Sequence, residues 1–138
     1  MEFDRLRDLL EPYSGYSWTV FRTGLGGMIV LSGIHKLLNP AVWASYIAPV
    51  FAEVMGKIGM APSLFMQFNG VFELLFGTAI LFDRYTTLSS SLVTLSLAAI
   101  VVNLGVAGLG YTDIIIRDLG LLMLSLGVTL ESVRRGKE

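Results

Sequence analysis

Residues 63–82 read SLFMQFNGVFELLFGTAILF, twenty consecutive positions with one ionisable side chain, Glu73, near the middle. A helix needs about 20 predominantly apolar residues to cross a hydrocarbon core of roughly 30 Å, so this stretch predicts a transmembrane helix. Three further windows of spanning length surround it, at 18–38, 88–110 and 114–133. The whole chain agrees with that reading: 54% of its 138 residues are hydrophobic, 15% are charged, and the mean hydropathy is +0.68. A soluble domain carries about 25% charged residues, so this chain has too few to cover a water-facing surface. The expected fold class is all-α: a four-transmembrane-helix bundle forming a single membrane domain over 1–138, with an interfacial helical segment between helices 1 and 2.

That segment, about 40–60, lies within NPAVWASYIAPVFAEVMGKIGMAP (39–62) and is too interrupted by Pro40, Pro49 and Pro62 to span. Its apolar residues recur at helical spacing, which predicts an interfacial or re-entrant helix anchored by Trp43 and Tyr46; a loop packed over the bundle is the alternative. With four spans both termini share a side. Six basic residues fall there (Arg5, Arg7, Arg84, Arg134, Arg135, Lys137) against three on the other (Lys36, Lys57, Arg117), so the protein is expected in the cell membrane, multi-pass, with both termini cytoplasmic. Phe3, Leu6, Leu9 and Leu10 form one stripe, which predicts a short amphipathic helix on the inner surface ending before Pro12. The N-terminus has no apolar core of a signal peptide, and no cleavage is expected.

Composition excludes several kinds of chemistry. No cysteine is present and His35 is the single histidine, so disulfides, thiolate metal sites and bis-histidine haem cannot be built from this chain, and no metal site is expected. Ten basic residues against eleven acidic ones give no cationic excess for nucleic acid. No covalently bound cofactor is expected; a redox cofactor has to be a diffusible quinone or belong to a partner.

Fifteen glycines sit mostly within the spans, a packing signal, since helix association in lipid relies on close backbone approach. Gly120 and Gly127 are expected to mark one such contact. The ionisable residues Arg22, His35, Lys36, Glu73, Arg117 and Asp118, with Asn69 and Asn103, are the candidate ligand-binding or proton-relay set; no catalytic residue is assigned. A charge at mid-membrane costs about 2.5–3.5 kcal/mol on insertion scales, so each must face the interior, a partner or the interface. Counting about 1.5 Å per residue puts Glu73 about 14 Å from the inner boundary. Helical spacing predicts four inward stripes: Arg22/Gly26/Ile29/Gly33/Lys36, Asn69/Glu73/Gly77, Ser89/Ser96/Asn103, and Asp113/Arg117/Gly120/Leu124/Gly127/Glu131. The expected pairs are Glu73 with Arg22 or Arg117, and Lys36 with Asp118. Either these pairs only hold helix register, or the carboxylate and its cations serve a ligand or proton site. Asp83 and Arg84 are expected in a solvated inner turn.

The run FRTGLGGMIVLSGIHKLLNP resembles the first-span signature of the DoxX-like family, and GVFELLFGTAILFDRYTTLSSSL is similar to its second, with a glutamate followed four residues later by glycine. IIIRDLGLLMLSLG resembles the last span. The resemblance covers about 18–130 and implies a small four-helix integral membrane protein, with Arg22, Lys36, Glu73, Arg117 and Asp118 at matching polar positions. It further implies a small subunit of a membrane redox complex of the thiosulfate:quinone oxidoreductase type, contributing a quinone or substrate site. Without cysteine the chain has no nucleophile for a sulfane sulfur, so thiosulfate chemistry would fall to a partner or to cationic residues. The expected partners are the lipid bilayer and a membrane or peripheral redox subunit, or further copies of the chain. The alternative is a non-enzymatic membrane scaffold or assembly factor; a transporter fits less well because four spans leave little room for a pathway.

Overall fold

The computed structural model describes residues 2–137 and, among them, contains helices and no strands. In chain order these are α1 (Glu2–Leu10), α2 (Ser17–Leu38), α3 (Pro40–Ala44), α4 (Pro49–Lys57), α5 (Pro62–Leu81), α6 (Thr86–Ala107) and α7 (Thr112–Arg134), with 3-10 segments before α2 (Glu11–Tyr16) and before α7 (Leu109–Tyr111). The expected interfacial segment is two short helices. Pro40, Pro49 and Pro62 each stand at the start of a helix, where a missing N–H is no loss and a fixed φ favours the first turn. Those prolines that bar a continuous span therefore set the starts of α3, α4 and α5.

The four long helices have 20–23 residues each and measure about 30–35 Å. Two of them, Pro62–Leu81 and Thr86–Ala107, are long and apolar enough to cross a membrane. The other two match them in length but carry more charge: Arg22, His35 and Lys36 in α2, and five acidic or basic residues in α7. The outward surface is apolar, with Leu31, Leu75, Leu95, Val102, Met123 and Leu130 all exposed, while Lys36, Glu73, Asp118 and several serines are buried. This distribution suits lipid surroundings, where exposed leucine is favourable and charge must turn inward.

The helices pack as two close antiparallel pairs. In the α2/α5 pair, a Cβ added to Gly33 would lie 2.7 Å from the Gly70 carbonyl oxygen, and one on Gly26 would lie 2.9 Å from the Leu81 nitrogen. The backbones of α2 and α5 are thus in direct contact along Gly26, Gly33, Gly70 and Gly77. Among the described residues Gly120 and Gly127 have no heavy atom within 4 Å of an added Cβ, so within this chain they do not make the contact expected of them. The face of α7 turned inward is Asp118, Ser125, Val128 and Ser132, rotated from the stripe expected through Asp113, Arg117 and Glu131. The expected stripe follows the spacing of charged and small residues, whereas the buried face combines Asp118 and Val128 with two serines, Ser125 and Ser132.

Serine and threonine join the second pair. Thr94 and Ser125 hydroxyls lie 2.7 Å apart, Thr129 donates to Ser90 at 2.9 Å, and Thr87 donates to Ser132 at 3.0 Å. Between the pairs, Trp18, Leu25, Ile29, Ile80, Val93, Leu97 and Val128 form one apolar core.

Candidate functional site

The α2/α5 backbone contact brings the C-terminal half of α2 against the middle of α5. Gly33 and Gly70 leave no side chain between the helices, and one turn further along α2 Lys36 reaches across. Its Nζ donates to Glu73 Oε1 at 2.5 Å and to Asn69 Oδ1 at 2.6 Å, with both members of the ion pair almost wholly buried. Glu73 therefore pairs with Lys36, and neither Arg22 nor Arg117 reaches it. The reason is register: once glycine sets the helices in contact, Lys36 faces Glu73 directly, while Arg22 lies almost four turns away at the opposite end of α2. Glu73 Oε2 is buried and has no hydrogen-bond partner among the described residues.

Arg22 belongs to the other end of the molecule. Its Nη1 donates to the carbonyls of Ile80 (2.6 Å) and Leu81, which close α5, and its Nε lies 3.9 Å from Asp83. A cation at a helix C-terminus satisfies carbonyls that have no partner within the helix. Asp83, expected in a solvated turn, is instead a junction: it accepts from Thr86 at 2.8 Å and pairs with Lys137 at 2.9 Å. Partial burial pushes its carboxyl up, but hydrogen bonds from Lys137 and Thr86 and the charges of Lys137 and Arg22 outweigh that and hold it below its ordinary value of 3.8.

Above Lys36 a cavity of about 510 Å³ opens between α2, α5, α6 and α7, roofed by α3 and α4. Lys36, His35, Asn69, Asn103, Arg117 and Asp118 all line it; Glu73 stands behind Lys36, and Arg22 is not part of it. The rest of the wall is mainly apolar, including Ile47, Phe65, Met66, Ile100, Leu104 and Ile114. Asp118 is buried and accepts from Arg117 Nε at 3.0 Å, whereas the Arg117 side chain is 59% exposed and extends out of the bundle. The expected pair of Lys36 with Asp118 is thus replaced by neighbouring pairs, Lys36–Glu73 and Arg117–Asp118.

Side chains from α2, α6 and the turn before α7 hold the roof. The Asn103 side chain accepts from Ala48 N at 2.9 Å and donates to Tyr46 O at 2.8 Å, so one amide fixes the link between α3 and α4. Trp43 Nε1 donates to His35 Nδ1 at 2.7 Å, and the Lys36 ammonium lies 4.7 Å from the centre of the Trp43 ring. Trp43 and Tyr46, read as interface anchors, also line the cavity. Sequence reasoning missed Ser96 as a wall residue on its own account, although it stands on the Ser89/Ser96/Asn103 stripe, and it missed the hydroxyl ladder. The three-to-four spacing of Thr87, Ser90 and Thr94 against Ser125, Thr129 and Ser132 is the signal that could have revealed the ladder.

Fold and surface define the class: an all-helical membrane protein with an apolar-walled cavity bearing paired charges. The sequence profile described as DoxX matches residues 17–105, more than half of the chain. The chain belongs to the DoxX family. The matched region includes Arg22, His35, Lys36, Asn69, Glu73 and Asn103, while Arg117 and Asp118 lie beyond it. No curated protein and no solved structure gives a significant match.

Proposed function

We propose that the chain is a four-spanning protein of the cell membrane, both termini cytoplasmic, which holds a quinone-type ligand in this cavity as the small subunit of a membrane redox complex of the thiosulfate:quinone oxidoreductase type. Four spans are supported by the similar lengths of the long helices, 20–23 residues, and by the placement of every charge in α2 and α7 in a pair, at an end or inside. One observation carries the ligand reading: the cavity charges are already matched. Lys36 is paired with Glu73 and Arg117 with Asp118, so a dianion such as thiosulfate finds no uncompensated cation there, and burying it unpaired would be costly. A neutral, partly aromatic ligand meets an apolar wall, the Trp43 and Tyr46 rings, and a few polar groups, a combination typical of small-molecule sites. The volume, about 510 Å³, lies within the usual range of roughly 300–1,000 Å³.

A bound quinone supplies a two-electron, two-proton couple; the residues of this chain bind and orient it. The Asn69 amide offers an N–H to its carbonyl oxygens, and the α3–α4 roof covers one side of the cavity. Trp43 and Trp18 are the two tryptophans, one on the cavity and one at the far end of α2, which makes a built-in comparison. In lipid nanodiscs a short-chain ubiquinone analogue should quench Trp43 (in a Trp18→Phe protein) saturably, and Trp18 (in a Trp43→Phe protein) only by diffusion; thiosulfate should not compete. Equal quenching of the two, or none, refutes the assignment.

A second reading as scaffold or assembly factor, or as one subunit among several copies, is favoured by a separate observation. Gly24, Gly120 and Gly127 face outward with open space beside them, surfaces on which a partner helix can pack closely. Replacing Gly120 and Gly127 with leucine should release a co-purifying partner in mild detergent; unchanged co-purification removes this reading.

A further inference from the structure

We propose that Asp118 selects ligands carrying a hydroxyl, so that the cavity prefers the reduced, phenol-like form of its occupant over the carbonyl or ether form. This inference rests on the cavity being a ligand site. It follows from counting which polar groups on the wall are already used. Asn103 has both ends of its amide engaged on Tyr46 and Ala48. Lys36 donates to Asn69 and Glu73 and lies against the Trp43 ring. Asn69 uses its carbonyl oxygen on Lys36 and keeps an amide NH2, a donor.

Asp118 is different. A carboxylate accepts at about four lone-pair positions, and the hydrogen bond given to this one comes from Arg117 Nε to Oδ1. Its side chain is 8% exposed, so bulk water does not solvate it freely, yet it lines the cavity. Among the described residues the wall thus presents one carboxylate with lone pairs to spare, Asp118, and several donors, the Asn69 amide, the Arg117 guanidinium and the Ser96 and Tyr46 hydroxyls among them. A hydroxyl can donate to Asp118 and still accept from one of these donors. A quinone carbonyl or an ether oxygen can only accept, and it leaves the carboxylate facing an oxygen lone pair. Sites built to hydrogen-bond a hydroxyl reject analogues that lack it far more strongly than an apolar wall rejects a change of size.

The probe pair is 4-nonylphenol and its methyl ether, 4-nonylanisole, each radiolabelled and partitioned between nanodiscs loaded with the full chain and empty nanodiscs. Hydrogen bonds to charged groups contribute enough to expect roughly ten- to a hundredfold tighter retention of the phenol. Asp118→Asn, which keeps shape but has a neutral, weaker acceptor, should shrink that ratio about tenfold, with both ligands still retained. Because the readout is a ratio of two ligands in one protein, general loosening of the fold lowers both and leaves the ratio in place. Equal retention of phenol and ether by the wild type, or an unchanged ratio in Asp118→Asn, overturns this inference while quinone quenching of Trp43 leaves the cavity reading standing. Retention of neither probe above empty discs also overturns it, and absent quenching then removes the cavity reading too.

Discussion

Lys36 and Glu73 illustrate how a single buried pair ties two helices together. Their side chains are 2% and 4% exposed, so removing one partner leaves a charge with neither water nor counter-ion. Lys36→Met should cost about 3–5 kcal/mol, and adding Glu73→Leu should recover much of the loss; reversible unfolding in mixed micelles measures both. If the double variant is no better than the single one, the pair is not the energetic unit. At the other end, Asp83 couples the α5–α6 turn to Lys137 and Arg22. Its carboxyl is held below 3.8 in the folded protein, so its contribution is complete above that ordinary value and is lost as pH falls through the lower folded value. Between neutral pH and pH 3 the Asp83→Asn protein should lose less stability than the wild type, a comparison that thermal melts across pH make directly. Glu73 and its partners were legible as candidates because charge in an apolar run is costly, but their pairing depends on helix register, which spacing alone leaves open.

Among the elements, α2 and α5 depend on glycine, and α6 and α7 on hydroxyls. Gly33→Ala places a methyl 2.7 Å from the Gly70 carbonyl oxygen and 3.0 Å from the Leu74 nitrogen. Neither backbone atom can yield without parting the helices, so the substitution should cost roughly 1–3 kcal/mol and weaken the Lys36–Glu73 contact beside it. Gly120→Ala meets open space and should change the melting behaviour little, within about 0.5 kcal/mol. Helix-specific stability then separates these two glycines, which look alike in sequence. Losing the Ser125 and Thr129 hydroxyls together (Ser125→Ala with Thr129→Val) should cost about 1–2 kcal/mol, near the typical value of two interhelical hydrogen bonds in a membrane. No loss in that double variant would show the ladder to be incidental.

For the whole molecule, Arg22, Asp83, Lys137 and the cation–π contact of Arg135 with Trp18 gather at one end, while the cavity and its α3–α4 roof occupy the other. The proposed orientation puts the basic end on the cytoplasmic side and the cavity toward the outer face. The absence of native cysteine makes the orientation easy to test: Glu53→Cys on the exposed face of α4 should react with an impermeant maleimide from outside intact cells, and Arg84→Cys in the inner turn only after permeabilisation. The reverse pattern inverts the orientation and places the cavity inside.

Local composition alone determined that this chain is helical and built for lipid, because apolar runs of spanning length and a shortage of charge admit few other solutions. It also singled out the costly residues, six of which line the cavity. Which cation meets which carboxylate, which glycines touch, and that Trp43 and Asn103 close a roof were decided only when the helices packed, since rotation and register are set by contacts between segments distant in the chain. The inner face of α7, with Ser125 and Ser132 beside Asp118 and Val128, shows the physical reason: hydropathy measures transfer from water, whereas helices already in lipid are joined by close backbones and shared hydrogen bonds.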